Sequence, residues 1–365
     1  MIPDVYYQDY YLLIVALATL VIGLRYAHYS TLELQQTRAS SVKITISFTV
    51  LIILFIGLRP QSEMFPDMMG YITSVENEWW SLEEIRWDTN YLFVPLMFFL
   101  QTMKASGEVI MLVLASIYFG ALLIAMNKLF PKHRLLAMIV YCGAFMTFSN
   151  ATNGMKAGCA TAFFICAIAY FESKPLFALF LFLSLGFHHA AQLLVVVYML
   201  CYVYNNYRFY LVIWLICLIL AILHITYFQM LFGSWTDDHG AEYLLIEATS
   251  RDSGFGGKVG FRYDFVLYSV VPMLLGYYSV YKKNIRSKHY LFMLNVYTMT
   301  NAIWMLCMYA SYTNRIAALG WGLYSILILY PVLQEQWHKK QNTIIQIAIF
   351  THLGFTLVMH FIYYL

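Results

Sequence analysis

The feature that most constrains this chain is a series of long apolar blocks, each bounded by charged residues, glycine or proline. Of the 365 residues, 61% are apolar and 11% are charged, whereas a soluble globular protein carries about 25% charged residues. This pattern excludes an ordinary soluble enzyme, a nucleic-acid-binding domain, a disordered chain and a coiled coil. Apolar blocks of this length and number predict an all-α polytopic membrane protein.

The blocks predict about twelve transmembrane helices and one shorter segment. The twelve lie at about 8–27, 43–58, 108–127, 135–150, 156–171, 175–187, 189–204, 209–227, 264–281, 290–311, 314–333 and 343–364. The additional block, 90–103, is short for a span, which needs about 20 residues, so we predict a re-entrant segment there.

Lysine and arginine in the short loops predict the orientation. Loop 282–289 has four basic residues and loop 128–134 has three, which is typical of cytoplasmic loops. Both termini then lie outside, and 90–103 must enter and leave on the outer side. We therefore predict one integral membrane domain, 1–365. Within it, 59–89 forms an outer loop with a short interfacial helix, and 228–263 forms a long outer loop.

Cysteine usage indicates no redox chemistry. All six cysteines lie inside apolar blocks and none forms a C-x-x-C pair, so we predict free, buried thiols.

Ionisable residues at membrane depth are costly and are treated as functional hypotheses. Here they gather on the predicted outer side, where they suit an anionic ligand such as a lipid-linked diphosphate. Each also has a structural interpretation. The cations could be interfacial anchors, Asp67 could cap a short helix beginning near Met68, and the histidines could be hydrogen-bonded within the fold. The outer-side basic residues are Arg59, Lys156, His188, His189, Arg251, Lys258, Arg262 and Arg315.

The chain contains five short motifs that resemble those of the EpsG-like family of Wzy-type polysaccharide polymerases, both in their order and in the side of the membrane on which they are predicted to lie. They are Ile56-Gly57-Leu58-Arg59; Asp67 followed by Tyr71; Asn153-Gly-Met-Lys156-Ala-Gly-Cys-Ala160; Phe187-His188-His189-Ala190-Ala191; and Asn314-Arg315-Ile316 opening a span that runs to Pro331. Two positions depart from the family pattern. Phe65-Pro66-Asp67 stands where the family has Gly-Thr-Asp, and Lys156 stands where it has arginine.

The resemblance implies a GT-C-like membrane glycosyltransferase that joins polyprenyl-diphosphate-linked repeat units into a surface polysaccharide. It implies Asp67 as the base for the acceptor hydroxyl, with His188 as the competing candidate. The diphosphate would be bound by Arg59, Lys156 and Arg315, with Arg262 contributing from its loop. His189, Tyr71 and Arg251 would contact the rest of the substrate. No metal or other cofactor is expected, because these cations neutralise the leaving group.

The implied partners are lipid-linked glycans, as donor and acceptor, and membrane lipid, with a chain-length regulator protein as a further candidate and no nucleic acid. The implied location is the cytoplasmic membrane, with the active site facing the periplasm or exterior. Two alternatives stay open: another lipid-linked-glycan transferase, such as an O-antigen ligase, and a lipid-linked sugar transporter. A transporter needs polar groups on both sides of the midplane and often an internal repeat, and the sequence shows no convincing repeat.

Overall fold

The computed structural model describes residues 2–28, 38–85, 90–229, 260–310, 313–334 and 339–363. Regular structure in these ranges is helical, with short 3₁₀ and π turns at several helix ends. The α-helices are α1 (Tyr7–His28), α2 (Arg38–Gly57), α3 (Pro66–Glu76), α4 (Phe93–Thr102), α5 (Gly107–Leu129), α6 (Arg134–Cys142), α7 (Thr147–Thr152), α8 (Met155–Ala169), α9 (Lys174–Phe187), α10 (Gln192–Val203), α11 (Tyr207–Ile222), α12 (Tyr263–Tyr277), α13 (Lys288–Leu306), α14 (Asn314–Trp321), α15 (Tyr324–Gln334) and α16 (Gln341–Val358).

These helices make the chain a multi-pass membrane protein, as predicted. Four segments are long and apolar enough to cross a membrane, namely Asp4–Tyr26, Gly107–Leu129, Ile316–Gln334 and Gln341–Tyr363, and six shorter apolar helices accompany them. Twelve complete crossings are not seen among the described residues.

The predicted block 135–150 shows one reason for this difference. It divides into α6 and α7, because the helix ends at Cys142 and the Thr147 hydroxyl donates a hydrogen bond to the Tyr141 carbonyl at 2.6 Å.

Helix α4 covers the block predicted to be re-entrant. Its ten residues span about 15 Å, half the thickness of a membrane core. Trp80 contacts both of its ends: the indole lies 5.8 Å from the Phe93 ring, and the Trp80 main chain forms two hydrogen bonds with Gln101. Helix α4 therefore lies against Trp80, and it is too short to cross a membrane core by itself.

The helices form two compact units. The first contains Met1–His188 and Val332–Tyr363, and the second contains His189–Pro331. In the first unit α5 and α8 run parallel, since the thiols of Cys159 and Cys166 face the carbonyls of Leu114 and Ala121. Helix α9 runs back along α8, with the Ser184 hydroxyl donating to the Ala160 carbonyl at 2.8 Å. The starts of α5 and α8 and the end of α9 therefore share one end of this unit.

The last turns of α1, α5 and α15 meet at the opposite end of the first unit. The Tyr26 hydroxyl contacts His133 Nδ1, just after α5, and the Gln334 amide donates to the Leu129 carbonyl. The charge pattern predicts that this end faces the cytoplasm.

The second unit is organised around a polar core. Ser269 Oγ accepts hydrogen bonds from Asn301 Nδ2 at 2.8 Å and from Trp321 Nε1 at 2.9 Å. Trp214 Nε1 donates to Asn301 Oδ1 at 2.8 Å. The network joins α11, α12, α13 and α14. All six cysteines are buried and unbridged, which confirms that prediction.

Candidate active site

Arg59 is the most deeply buried cation among the described residues of the first unit, with 2% of its surface exposed. It follows the end of α2, and its guanidinium reaches the start of α8. Nη1 donates to the Ile56 carbonyl at 2.8 Å and Nη2 donates to the Thr152 carbonyl at 3.3 Å. The thioether sulfurs of Met111 and Met155 lie 3.2 and 3.3 Å from Nη2.

The positive charge of Arg59 lacks a close counter-charge within the described part of the chain. No carboxylate there lies within 4 Å of its guanidinium, and its Nε has no hydrogen-bond partner. Burial lowers the pKa of Arg59 to about 10, while the charges of Tyr7 and Asp67 raise that pKa. The group therefore stays protonated at neutral pH and can attract an anion.

The departure Phe65-Pro66-Asp67 has a clear local role. Pro66 takes the first position of α3, which proline favours, and Asp67 lies in the first turn, where a carboxylate interacts well with the helix dipole. The Phe65 ring centroid lies 5.3 Å from Arg59 Cζ. The segment thus packs an aromatic ring on Arg59 and places Asp67 within electrostatic reach of it. Asp67 does not cap α3, because the helix begins one residue before it.

Lys156 is the second residue of α8 and is half-buried. Gly154 precedes the helix, and no side chain caps the helix there. Gly158 lets α7 approach α8, since a Cβ at that position would lie 2.6 Å from the Asn150 carbonyl oxygen. Lys156 is thereby held next to Met155, whose sulfur contacts Arg59.

His188 is buried and follows the last residue of α9, and its main-chain N–H bonds to the Ser184 carbonyl at 3.2 Å. A chain of ring contacts links this end of α9 to α3. Phe187 lies 6.3 Å from Phe93, and Phe93 lies 5.2 Å from Tyr71. The first unit therefore gathers five predicted site residues at one end, which are Arg59, Asp67, Tyr71, Lys156 and His188.

The remaining predicted residues belong to the second unit. His189 Nε2 lies 2.8 Å from Gln192 Nε2, one turn further along. Arg315 is the second residue of α14, and its side chain lies outside what the structure describes, as do Arg251 and Lys258.

Arg262 is paired with a carboxylate in the structure. Its Nε and Nη2 donate to the two carboxylate oxygens of Asp264 at 3.1 and 3.0 Å, and its guanidinium lies over the Phe265 ring. The sequence placed this arginine on a loop as a diphosphate ligand. In the structure Asp264 engages Nε and Nη2 of this guanidinium, and the diphosphate role of Arg262 stays a prediction.

Sequence reasoning missed the residues that surround Arg59, and it missed Asn150. Met111 and Thr152 lie far from Arg59 in the chain, and no local pattern joins them to it. Asn150 was visible only as the first residue of a polar turn before α8.

Comparison with known proteins gives one match. The EpsG family model matches residues 42–364. No curated protein and no solved structure matches the chain.

Proposed function

Because the chain belongs to the EpsG family, we propose that it is a membrane glycosyltransferase that polymerises polyprenyl-diphosphate-linked oligosaccharide repeat units. The family points to polysaccharide biosynthesis, and the helices make the chain a multi-pass membrane protein. We place the enzyme in the cytoplasmic membrane, with a GT-C-like architecture and its site on the outer face. The product would be a surface polysaccharide.

The observation that supports this proposal most directly is Arg59. A buried guanidinium without a carboxylate in contact is unfavourable unless something else compensates it. A diphosphate supplies that compensation, and it is the leaving group of the proposed reaction. Lys156 lies next to Met155, which contacts Arg59, so a second cation is at hand.

The proposed reaction is a single displacement. The acceptor hydroxyl oxygen forms a bond to the anomeric carbon of the donor glycan, and the bond from that carbon to the diphosphate oxygen breaks. Polyprenyl diphosphate leaves with the electron pair. The hydroxyl proton passes to a base on the protein, while Arg59 and Lys156 stabilise the charge on the leaving group. Arg315 stays a predicted ligand on the resemblance alone.

We assign the base to Asp67, with His188 as the competitor. Asp67 stands in the first turn of α3, half-buried and within electrostatic reach of Arg59. His188 is more deeply buried, at the end of α9.

The test is a reaction of the purified full-length protein with a lipid-linked repeat unit, resolved on a gel. A ladder at repeat-unit spacing is expected, with Asp67→Asn reducing its formation more than His188→Gln does. Transfer only to a different added acceptor would identify a ligase. Movement of the lipid across a vesicle membrane without bond formation would identify a transporter.

A further inference from the structure

We infer that Asn150 and the first turn of α8 form a phosphate subsite built from uncharged hydrogen-bond donors. In this subsite the Asn150 amide and main-chain N–H groups bind one phosphate group of the lipid diphosphate. The inference deepens the proposed function and rests on it for the identity of the ligand.

Asn150 is the first reason. It is only 5% exposed, and its side-chain amide has no hydrogen-bond partner within the described part of the chain. A largely buried residue whose side-chain amide forms no hydrogen bond within the protein is uncommon, because most buried polar groups are paired. A bound ligand that accepts a hydrogen bond from Nδ2 accounts for a side chain of this kind.

The second reason is where Asn150 points. Its Oδ1 lies 3.5 Å from the position of a Cβ on Gly154, the residue that precedes α8. At Gly158 a Cβ would overlap the Asn150 carbonyl at 2.6 Å, so the two glycines admit Asn150 to this position. The amide group of Asn150 therefore lies beside the residue that precedes α8.

The third reason is the helix start itself. The main-chain N–H groups of Met155 and Ala157 have no acceptor among the described residues, and Gly154 offers no side chain to cap them. Helix α8 has 15 residues, and its aligned peptide dipoles place a partial positive charge at its N-terminus. Arg59 reaches the same junction through Thr152 and Met155.

These donors supply what Lys156 cannot. A lysine ammonium is a point charge with little directional preference, whereas amide N–H groups fix the direction of a phosphate oxygen. Orientation of the phosphate therefore depends on Asn150 and the main chain. Asn150 is in this sense a specificity-determining residue.

The experiment is equilibrium binding of radiolabelled polyprenyl diphosphate to the purified full-length protein in detergent. Asn150→Ala should weaken binding about tenfold, the usual effect of removing a hydrogen bond to a charged group. Asn150→Asp should weaken it further, about a hundredfold, because a carboxylate of the same shape repels phosphate. The melting temperature of ligand-free Asn150→Ala should be unchanged, since no hydrogen bond to a described residue is removed.

The matched control is Asn301→Ala in the second unit. Asn301 is equally buried, but both its amide atoms are paired, with Trp214 and Ser269. This variant should melt at a lower temperature and keep the affinity for polyprenyl diphosphate.

Three results would overturn the inference. They are binding within twofold of wild type in both Asn150 variants, a fall in melting temperature for Asn150→Ala that matches Asn301→Ala with unchanged affinity, and no binding by the wild-type protein. The polymer ladder decides the proposed function separately. If Asn150→Asp makes the ladder normally, the proposed subsite is wrong, whereas the proposed polymerase activity is supported.

Discussion

The start of α8 and the polar core of the second unit contain similar residues in opposite states. In the core, the donors and acceptors of Asn301, Ser269 and two tryptophans satisfy one another. At the start of α8, the Asn150 amide forms no hydrogen bond with a described residue. In the same described part of the chain, Arg59 Nε has no hydrogen-bond partner and no carboxylate contacts the guanidinium. Both regions are buried, so burial does not distinguish them.

The difference separates structural polar groups from groups that await a ligand. A saturated network stabilises a fold and fixes the packing of its helices. A set of buried donors with unused capacity costs stability, and it is retained where a ligand provides the missing acceptors. The four predictions below test this distinction, beginning with the largest expected effect.

Replacing Arg59 with methionine should give the largest loss of activity. The side chain would fit among Met111, Met155 and Phe65, but the charge that faces the leaving group is lost. We expect the rate of polymer formation to fall about 100- to 1000-fold, as when one stabilising donor is removed from an active site. The melting temperature should not fall, because a buried charge without a counter-charge is replaced by an apolar group.

Arg59→Lys is the control for charge. It keeps the cation and loses the planar fork, so its activity should lie between those of wild type and Arg59→Met. A large drop in melting temperature with Arg59→Met would show instead that the arginine is structural and would erase the contrast between the two regions.

A second prediction concerns His133, a buried histidine that avoids an unpaired charge by staying neutral. Burial, helped by the charge of Lys132, lowers the pKa of His133 to about 4, and its Nδ1 contacts the Tyr26 hydroxyl. Because the folded pKa lies below the ordinary value near 6.5, the neutral form is favoured on folding. The stabilisation is complete above pH 6.5 and is lost as pH falls toward 4, by about 3 kcal/mol in total.

The measurement is thermal unfolding between pH 7 and pH 4.5, for wild type and His133→Gln. The variant should lose less stability over this range. Equal pH dependence in both proteins would contradict the assignment.

Most helix positions could be predicted from the sequence, and the structure explains why the rest could not. Hydropathy is averaged over many residues along the chain. The apolar blocks therefore located most helices within a few residues, but they carry no information on single contacts. They did not detect the break between α6 and α7, which depends on the hydrogen bond from Thr147 to Tyr141. They predicted twelve crossings because a helix of 12 residues, such as α10, is as apolar as one that spans.

The candidate site shows the same limit. Arg59 and Lys156 were identified because charges are rare in this chain. Whether such a charge is paired depends on tertiary contacts. Arg262 has a carboxylate two residues away, a spacing visible in the sequence, whereas the partners of Arg59 come from α5 and the α7–α8 junction.

The third prediction uses Arg262, the paired counterpart of Arg59. Arg262→Met removes the partner of Asp264 and leaves a largely buried carboxylate without its counter-charge. We expect a loss of about 2 kcal/mol in the free energy of unfolding, below the range for a fully buried pair because Asp264 keeps some exposure. The affinity for polyprenyl diphosphate should stay within twofold of wild type. A tenfold loss of affinity at unchanged stability would support the predicted role of Arg262 as a diphosphate ligand.

The smallest expected effect is that of Gly154→Ala, which tests the main-chain part of the subsite alone. The φ of Gly154 is −134°, which alanine adopts, and its Cβ would make ordinary contact with Asn150 at 3.5 Å. The fold should therefore accept the methyl group, which would occupy space beside the first N–H groups of α8. We expect about threefold weaker binding of polyprenyl diphosphate at unchanged melting temperature, a loss of about 0.7 kcal/mol. Gly120→Ala is the matched control, since nothing lies within 4 Å of that added Cβ. Gly154→Ala could bind as wild type does while Asn150→Ala binds weakly. In that case the Asn150 amide binds the phosphate without the main chain of α8, and the difference between the two regions is due to the Asn150 side chain alone.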